Sequence, residues 1–289
     1  MKLRIGACVL SVIAMCWVAA GPGGAEGKET ELSALSDSRS AGFDPWGATH
    51  HRWPSLVDLH IGQEEHYYYW SRPNQRSLLR ERTDTNPLNI WVGGDSLAGG
   101  PALGFRELVR EEGGWVYTED VRKSTGVVSD WYFDWRKHLE EEVADGPYEV
   151  IVLSIGGNDW QGFRGGPTEK GSAEWAEKYL QRIQEIFQIL DRPGRLLIWV
   201  GMPHFKVPFM VPLTDVVNAI TREVFSNGER SVWVNAASIV SPGGAWTKHV
   251  MRENGELLEV RTDDGTHYQS SGARLITDAV VAAVALKTG

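Results

Sequence analysis

The stretch that decides the fold reads Asn89-Ile90-Trp91-Val92-Gly93-Gly94-Asp95-Ser96-Leu97. Its apolar part, which starts at Leu88, is typical of a buried parallel strand. Two glycines end this strand and a helical pattern begins at about Ala102, which predicts a tight strand-to-helix turn at Ser96. A hydroxyl at such a turn lies at the carboxyl edge of a sheet, beside a helix N-terminus that favours negative charge. A nucleophile for acyl transfer fits this stretch, and so does a glycine-rich turn with a capping serine.

Strands and helices alternate from Leu88 to the end of the chain. Five apolar segments are predicted as strands: Leu88–Val92, Gly114–Tyr117, Val150–Ile155, Leu196–Gly201 and Ser231–Asn235. Five further segments are predicted as helices: Ala102–Glu112, Trp135–Val143, Ala173–Leu190, Asp215–Phe225 and Gly272–Lys287. This alternation predicts an α/β fold with helices on both faces of a five-stranded parallel sheet. Functional residues of such folds collect in the loops after the carboxyl ends of the strands.

The residues before the sheet divide into three segments. Residues 1–25 have the pattern of a signal peptide, with Lys2 and Arg4 ahead of an apolar core and small residues near Ala25, although an uncleaved anchor is the alternative. Residues 26–42 are polar and are predicted to form a flexible linker. Residues 43–87 form an aromatic-rich extension, and residues 88–289 the main domain. We expect an exported protein, periplasmic or extracellular, with no transmembrane segment beyond the leader.

The extension at residues 43–87 allows two interpretations. Its rings either cover one side of the main domain or form a surface for sugars or a partner. Within it, Ser55–Tyr69 is predicted as a helix. A group of possible metal ligands also lies here, namely His50, His51, Asp58 and His60. Their spacing matches no standard ligand pattern, so we expect no metal site.

Composition excludes several classes of function. Both cysteines, Cys8 and Cys16, lie in the leader, so the mature chain has no thiol for disulfides, metal binding or catalysis. The formal net charge of −9 makes nucleic acid or an anionic membrane surface a poor partner. The sequence carries no prediction of oligomeric state.

Four loops supply the groups that ester hydrolysis by a serine requires. Such chemistry needs a hydroxyl, a base, a group that orients the base, and donors for the oxyanion. Ser96 is the candidate nucleophile and His267 the candidate base, with Asp264 three residues before it. The candidate oxyanion donors are the backbone amides of Ser96 and Gly126 and the side-chain amide of Asn158. Asp263 adjoins Asp264 and can replace it in this scheme.

These four blocks, in this order, resemble the SGNH (GDSL-type) serine hydrolases. The blocks are Gly94-Asp95-Ser96-Leu97, the loop at Gly126, Gly156-Gly157-Asn158-Asp159 and Asp264-Gly265-Thr266-His267. The resemblance extends from Leu88 to Lys287. The strings Asp130-Trp131-Tyr132-Phe133-Asp134-Trp135 and Ile198-Trp199-Val200-Gly201-Met202-Pro203 resemble an exported, poorly characterised bacterial subgroup of that family.

The resemblance implies a flavodoxin-like three-layer α/β/α fold, no cofactor, and hydrolysis of O-acyl esters. It favours Asp264 over Asp263 as the residue that orients the base. It also implies structural, supporting roles for Asp95, Gly156 and Asp159 in the two loops that contain them.

Other residues near these loops have alternative interpretations. His204 and His249 are alternative bases, but His204 and Phe205 belong to a loop that we expect to form a pocket wall or lid. Trp131, Trp135 and Trp160 follow the catalytic loops and are candidates for the substrate rim. By contrast, strand positions predict core packing for three other tryptophans: Trp91, Trp199 and Trp233.

These observations together predict an exported serine esterase with a Ser96–His267–Asp264 triad. The expected substrate is a small ester or an acylated carbohydrate, with a short acyl group such as acetyl, of the envelope or the extracellular medium. Two alternatives stay open. One is an O-acyltransferase that uses the same triad, and the other is a non-catalytic module on the same fold that binds carbohydrate or protein.

Overall fold

A computed structural model describes residues 69–70, 78–226, 228–252 and 254–288, and side chains from residue 78 onward. The predicted leader, linker, metal-ligand group and most of the extension, including all but the last residue of the helix predicted at Ser55–Tyr69, lie outside these ranges. Tyr69 itself belongs to a two-residue strand, β1 (Tyr69–Trp70).

The central sheet contains the five parallel strands that the sequence predicts. They are β2 (Leu88–Gly94), β3 (Trp115–Val121), β4 (Val150–Ser154), β5 (Leu196–Val200) and β6 (Ser231–Val234). The order across the sheet is β1-β6-β5-β4-β2-β3, and β1 pairs antiparallel with β6. The apolar runs of β4, β5 and β6 are buried at every position, because helices cover both faces of the sheet.

This strand order determines where a ligand binds in such folds. The connection that follows β2 leads to β3 on one side, whereas the connection that follows β4 leads to β5 on the other side. Open α/β sheets bind ligands outside the carboxyl ends of the strands, at the point where the strand order reverses. That point lies between β2, which ends just before Ser96, and β4, which ends just before Gly156 and Asn158. The order is that of flavodoxin-like sheets and confirms the predicted fold class.

Six helices of the described ranges surround the sheet. They are α1 (Gly99–Glu111), α2 (Trp135–His138, continued by a π turn over Leu139–Val143), α3 (Ala173–Leu190), α4 (Val211–Ser226), α5 (Ala236–Val240) and α6 (Ser270–Leu286). Helix α6 packs on α1 and α5, and helix α3 packs on α2 and α4. No helix among residues 78–226, 228–252 and 254–288 is long and apolar enough to span a membrane.

The core contains the strand tryptophans, as predicted. Trp91, Trp199 and Trp233 are 2%, 0% and 3% exposed. Tyr69 was predicted as the end of a helix but lies in the short strand β1, which pairs with β6. The structure also contains α5 and an antiparallel hairpin of β7 (His249–Met251) and β8 (Leu257–Glu259), which no sequence pattern predicted. The two short strands of the hairpin expose Met251 and Leu257, so they lack the apolar run by which the buried parallel strands were recognised.

Candidate active site

Ser96 lies at the turn between β2 and α1, where the sequence places it. Gly94 ends β2 with a φ of 144°, and a Cβ at this residue would overlap the carbonyl oxygen of Ser154, so only glycine fits. A short 3₁₀ turn, Ser96–Ala98, then leads into α1, and Asp95 caps this turn by accepting a hydrogen bond from the Leu97 amide at 2.8 Å. The half-buried Ser96 side chain is therefore held at the carboxyl edge of the sheet.

Asp95 joins the nucleophile loop to the loop that contains Asn158. Its Oδ2 accepts hydrogen bonds from the amides of Gly156 and Gly157, both at 2.8 Å. The side chain is completely buried. Burial raises the pKa of Asp95 to about 7, and the nearby charge of Asp159 adds to this rise, while the three amide donors oppose it. Asp95 thus has no free oxygen for substrate and acts by fixing two loops relative to each other.

Asn158 and Gly126 lie beside each other across the β3 and β4 loops. The Asn158 Nδ2 donates one hydrogen bond, of 2.9 Å, to the carbonyl of Thr125, which leaves its second N–H without an acceptor in the described residues. Over the same residues, the backbone amides of Ser96 and Gly126 also have no acceptor. Three N–H donors on neighbouring loops are therefore available to a ligand oxygen.

Asp159 holds the loop that presents Gly126. Its carboxylate accepts hydrogen bonds from the amides of Val127 and Val128, at 3.0 and 2.9 Å, and from the hydroxyl of Tyr179 at 2.9 Å. A Cβ on Gly126 would overlap this carboxylate, so a larger residue would push the loop away. Complete burial raises the pKa of Asp159, while its three hydrogen-bond donors and Arg182 oppose that rise.

His267 and Asp264 form a pair within one tight loop. Asp264 Oδ2 lies 2.7 Å from His267 Nδ1, and Asp264 Oδ1 accepts hydrogen bonds from the Thr262 hydroxyl and from the amides of Thr266 and His267. Partial burial by itself raises the pKa of Asp264, but these hydrogen bonds outweigh it and hold the pKa well below its usual range. A charged Asp264 therefore fixes the ring and its tautomer, so that Nε2 points away from the pair.

Two contacts bring the His267 loop to the same sheet edge as Ser96. The ring of Tyr268 packs on Gly100 of α1, where a Cβ would overlap it, and the Lys206 amide in the loop after β5 donates to the Gly265 carbonyl at 3.0 Å. Ser96 Oγ and His267 Nε2 have no hydrogen-bond partner among the described residues. Catalytic hydrogen bonds of this kind commonly form only when substrate is bound.

The alternative residues have other partners. Asp263 pairs with Lys248 at 2.7 Å, and this hydrogen bond lowers the pKa of Asp263. His204 lies 3.6 Å from Asp215 through Nε2, and its Nδ1 is buried without a partner in the described part of the chain. His249 is exposed on β7 and has no ion pair within the described ranges. Asp264 is thus the carboxylate that contacts a histidine in this loop.

The predicted rim is only partly exposed. Trp131 and Trp160 are 57% and 44% exposed, as a rim requires, and the His204 side chain is 14% exposed. Two expectations are wrong. Phe205 is 2% exposed and packs in the core, and Trp135 is 2% exposed because it begins α2 and donates its Nε1 to the Thr125 hydroxyl at 2.9 Å. Trp135 instead supports the residue next to Gly126.

Sequence reasoning missed a second histidine–aspartate pair. His138 Nε2 lies 2.5 Å from Asp120 Oδ2 and ties α2 to the end of β3. Its ring packs against Phe133 and Trp135, with centroids 5.1 and 5.7 Å away, so this pair closes the loop that contains Gly126. The position of Asp120 at the carboxyl end of a strand was the available signal. The described residues contain no group of three or more metal-ligating side chains.

The chain has the α/β fold of the SGNH hydrolases, and four of its loops meet at the topological switch point. The chain belongs to the family described as a protein of unknown function (DUF459), whose model matches residues 89–283. No curated protein matches the chain.

Solved structures of similar fold share little sequence with this chain. A GDSL-like lipase from Bacteroides thetaiotaomicron is 13% identical, with a TM-score of 0.46 over 72% of this chain and 92% of that one. A putative acylhydrolase from Bacteroides fragilis is 14% identical, with a TM-score of 0.49 over 71% and 90%. A catalytic mutant of an acetylxylan esterase from Geobacillus stearothermophilus is 12% identical, with a TM-score of 0.49 over 72% and 96%.

Proposed function

We propose that this protein is a serine esterase that hydrolyses O-acyl esters through Ser96, His267 and Asp264. The observation that carries the proposal is the 2.7 Å contact between His267 Nδ1 and Asp264, in a loop tied to the same sheet edge as Ser96. A base that is oriented in this way and a serine at a strand-to-helix turn are the two parts that covalent acyl transfer needs.

The mechanism follows from these atoms. Ser96 Oγ attacks the ester carbonyl carbon while His267 Nε2 takes the serine proton, and the charge of Asp264 stabilises the imidazolium that forms. The developing oxyanion accepts hydrogen bonds from the amides of Ser96 and Gly126 and from Asn158 Nδ2. His267 then gives its proton to the leaving alcohol, and water attacks the acyl-enzyme with His267 again as base. Ser96 is regenerated and a carboxylic acid is released.

The proposed substrate carries a short acyl group, such as acetyl, on an envelope or extracellular carbohydrate, in keeping with the proposed export of the chain. The exposed rings of Trp131 and Trp160 support a sugar over a lipid, since exposed indole faces suit sugar rings, whereas a long acyl chain needs an enclosed apolar groove. Solvent reaches this edge, because the His267 side chain is 42% exposed, and this favours water as the acyl acceptor.

Two measurements test the proposal. A fluorescent serine-directed phosphonate should label one residue, Ser96, identified by peptide mapping, and the Ser96→Ala chain serves as the control. A series of p-nitrophenyl esters of increasing chain length, run beside acetylated polysaccharides with acetate release measured, gives the acyl preference. Adding a sugar acceptor separates the classes: acylated sugar in place of free acetate would identify a transferase, and no labelling with no turnover would leave a binding module.

A further inference from the structure

Four aromatic side chains are exposed on the loops that follow β3, β4 and β5. Trp131 and Tyr132 are 57% and 59% exposed, and Trp160 and Phe209 are 44% and 60% exposed. Isolated exposed apolar residues are ordinary on a protein surface. These four are not isolated, since Trp131 contacts Tyr132 and Trp160 contacts Phe209, with ring centroids 6.1 Å apart in both pairs.

Two cations lie against these rings. The Lys170 ammonium is 5.9 Å from the centroid of Trp160 and 5.5 Å from that of Phe209, and the Arg164 guanidinium is 5.7 Å from that of Trp131. Neither cation has a carboxylate partner among the described residues. By contrast, the neighbouring Arg136 and Arg182 both pair with Asp130. The two positive charges are therefore available to an anion from solution.

Trp131, Tyr132, Arg164, Trp160, Lys170 and Phe209 form what we call the cationic aromatic band. Its middle is residues 160–171, the loop that follows Asn158 and Asp159. Phe163 anchors this loop, because its side chain is 2% exposed and packs on Trp175 with ring centroids 5.7 Å apart. Its backbone amide donates to the Pro167 carbonyl, and its carbonyl accepts from the Gly166 amide. A loop fixed in this way loses little conformational entropy on binding a ligand.

Residues of the band lie close in sequence to residues of the candidate active site. Trp160 is two residues after Asn158, and Trp131 is five residues after Gly126. Phe209 belongs to the loop after β5, whose Lys206 amide bonds to the Gly265 carbonyl in the His267 loop. A polymer that lies along the band thus passes the sheet edge at which Ser96 lies.

The chemistry of the band selects one kind of polymer. Exposed aromatic rings pack against the apolar faces of sugar rings, and ammonium and guanidinium groups bind carboxylates. Two cations on a chain with a net charge of −9 are too few for a nucleic acid surface. We propose that the cationic aromatic band binds polysaccharides that contain uronic acid residues. The assignment of an acylated uronate polymer as substrate rests on the proposed function, whereas the binding itself does not.

Binding is tested with the full-length Ser96→Ala chain, so that no turnover interferes. The probes are sodium polygalacturonate and neutral xylan, measured by affinity electrophoresis and titration calorimetry at low and high salt. We expect polygalacturonate to bind more tightly than xylan. Its affinity should fall as the salt concentration rises, because exposed charge pairs are screened. Adding Lys170→Gln and Arg164→Gln together should weaken polygalacturonate binding by roughly twofold to twentyfold and xylan binding much less.

A matched control is Arg192→Gln, which removes one exposed positive charge beyond the C-terminal end of α3. The Arg192 guanidinium donates to the neighbouring Asp191 carbonyl and has no carboxylate partner among the described residues; Arg192 precedes β5, at the amino edge of the sheet. This variant should bind both polymers as the parent chain does. Equal binding of xylan and polygalacturonate, insensitivity to salt, or equal losses in the control and the double variant would each overturn the inference.

The outcome separates this inference from the proposed function. Binding of polygalacturonate by the Ser96→Ala chain, with no ester turnover by the wild-type chain, would support the band and reject the esterase. Turnover of p-nitrophenyl acetate with no selective polygalacturonate binding would support the esterase and reject the band. If both hold, acetate release from O-acetylated polygalacturonate should show a KM that the Lys170→Gln and Arg164→Gln changes raise, more than they raise the KM for acetylated xylan.

Discussion

Tyr179 donates its hydroxyl to Asp159 Oδ2 at 2.9 Å, and both side chains are completely buried. Burial raises the pKa of Tyr179 well above its usual value, so this hydroxyl stays protonated and remains a donor. Since the same carboxylate accepts hydrogen bonds from Val127 and Val128, the helix α3 positions the loop of Gly126 through a side-chain relay. This chain of hydrogen bonds holds the backbone amide of Gly126 in a fixed position.

Replacing Tyr179 with phenylalanine removes the hydroxyl and keeps the ring, which stacks on Trp175 at 4.8 Å. One buried donor to a carboxylate is lost, so we expect the free energy of unfolding to fall by about 1–3 kcal/mol. We also expect kcat to fall with little change in KM, because the Gly126 amide is a proposed donor to the transition state. Urea unfolding and steady-state kinetics measure the two effects. A stability loss with unchanged kcat would limit Tyr179 to a structural role.

Ser96→Ala should lower kcat by several orders of magnitude and leave the fold intact, because the members of a triad act as a unit. The half-buried side chain makes no hydrogen bond in the described residues, so its truncation should not alter the melting temperature. Initial rates with a p-nitrophenyl ester and a thermal melt check both statements. Retention of more than about a tenth of the wild-type kcat would remove Ser96 from the mechanism.

His267→Ala should be nearly as damaging as Ser96→Ala, and the double variant should be hardly worse than either. Each substitution disables the same proton transfer, so their losses do not multiply. His204→Ala is the comparison, since His204 lies 3.6 Å from Asp215 and has no contact with Asp264 in the described residues. We expect it to keep most of kcat and to change KM or chain-length preference. Multiplicative losses in the Ser96/His267 double variant would show that the two residues act independently.

Asn158→Ala removes one of three proposed oxyanion donors, and such a donor contributes about 10²–10³ in kcat. The substitution also frees the Thr125 carbonyl, which accepts from Asn158 at 2.9 Å. Asn158→Asp is the informative second variant, because it is similar in size but places an acceptor where the oxyanion needs a donor. We expect it to be at least as inactive as the alanine variant. A change confined to KM in both variants would assign Asn158 to ground-state binding.

The sequence predicted those parts of the molecule that local chemistry determines. Buried strands need long apolar runs, and the turns at Gly94 and Gly126 tolerate no Cβ, so both features can be recognised in the sequence. The Asp264–His267 pair closes within four residues, so the spacing allows the contact, while the family resemblance favours Asp264 over Asp263.

Other features depend on tertiary packing and could not be read in this way. Trp131 and Trp135 occur in one six-residue string, yet α2 begins at Trp135 and turns only that ring into the core. Phe205 is likewise buried in the core, although its neighbour His204 is only half-buried. The relay from Tyr179 to Asp159 and the pair of His138 with Asp120 join residues 20 and 18 positions apart, for which a single sequence carries no periodic signal.

The dependence of activity on pH tests the roles of His267 and Asp264 together. The lowered pKa of Asp264 keeps its carboxylate charged at every pH near neutrality, so Asp264 contributes stability that is lost only as the pH falls below the usual aspartate range. Ionisation of Asp264 therefore cannot produce a change of rate near neutrality. The imidazole must be neutral to accept the serine proton, so the dependence of the rate on pH reports on the base.

We expect kcat/KM to rise with pH to a plateau, because a general base accepts a proton only in its unprotonated form. Asp264→Asn should lower kcat by about 10⁴-fold, the loss that the corresponding change causes in serine proteases, because the amide no longer holds the ring in its working tautomer. Rates measured from pH 5 to 9 in buffers of constant ionic strength, with phosphonate labelling of Ser96 at the same pH values, provide the check. Labelling that stays fast at low pH, or a wild-type rate that falls as pH rises through neutrality, would contradict the role of His267 as the base.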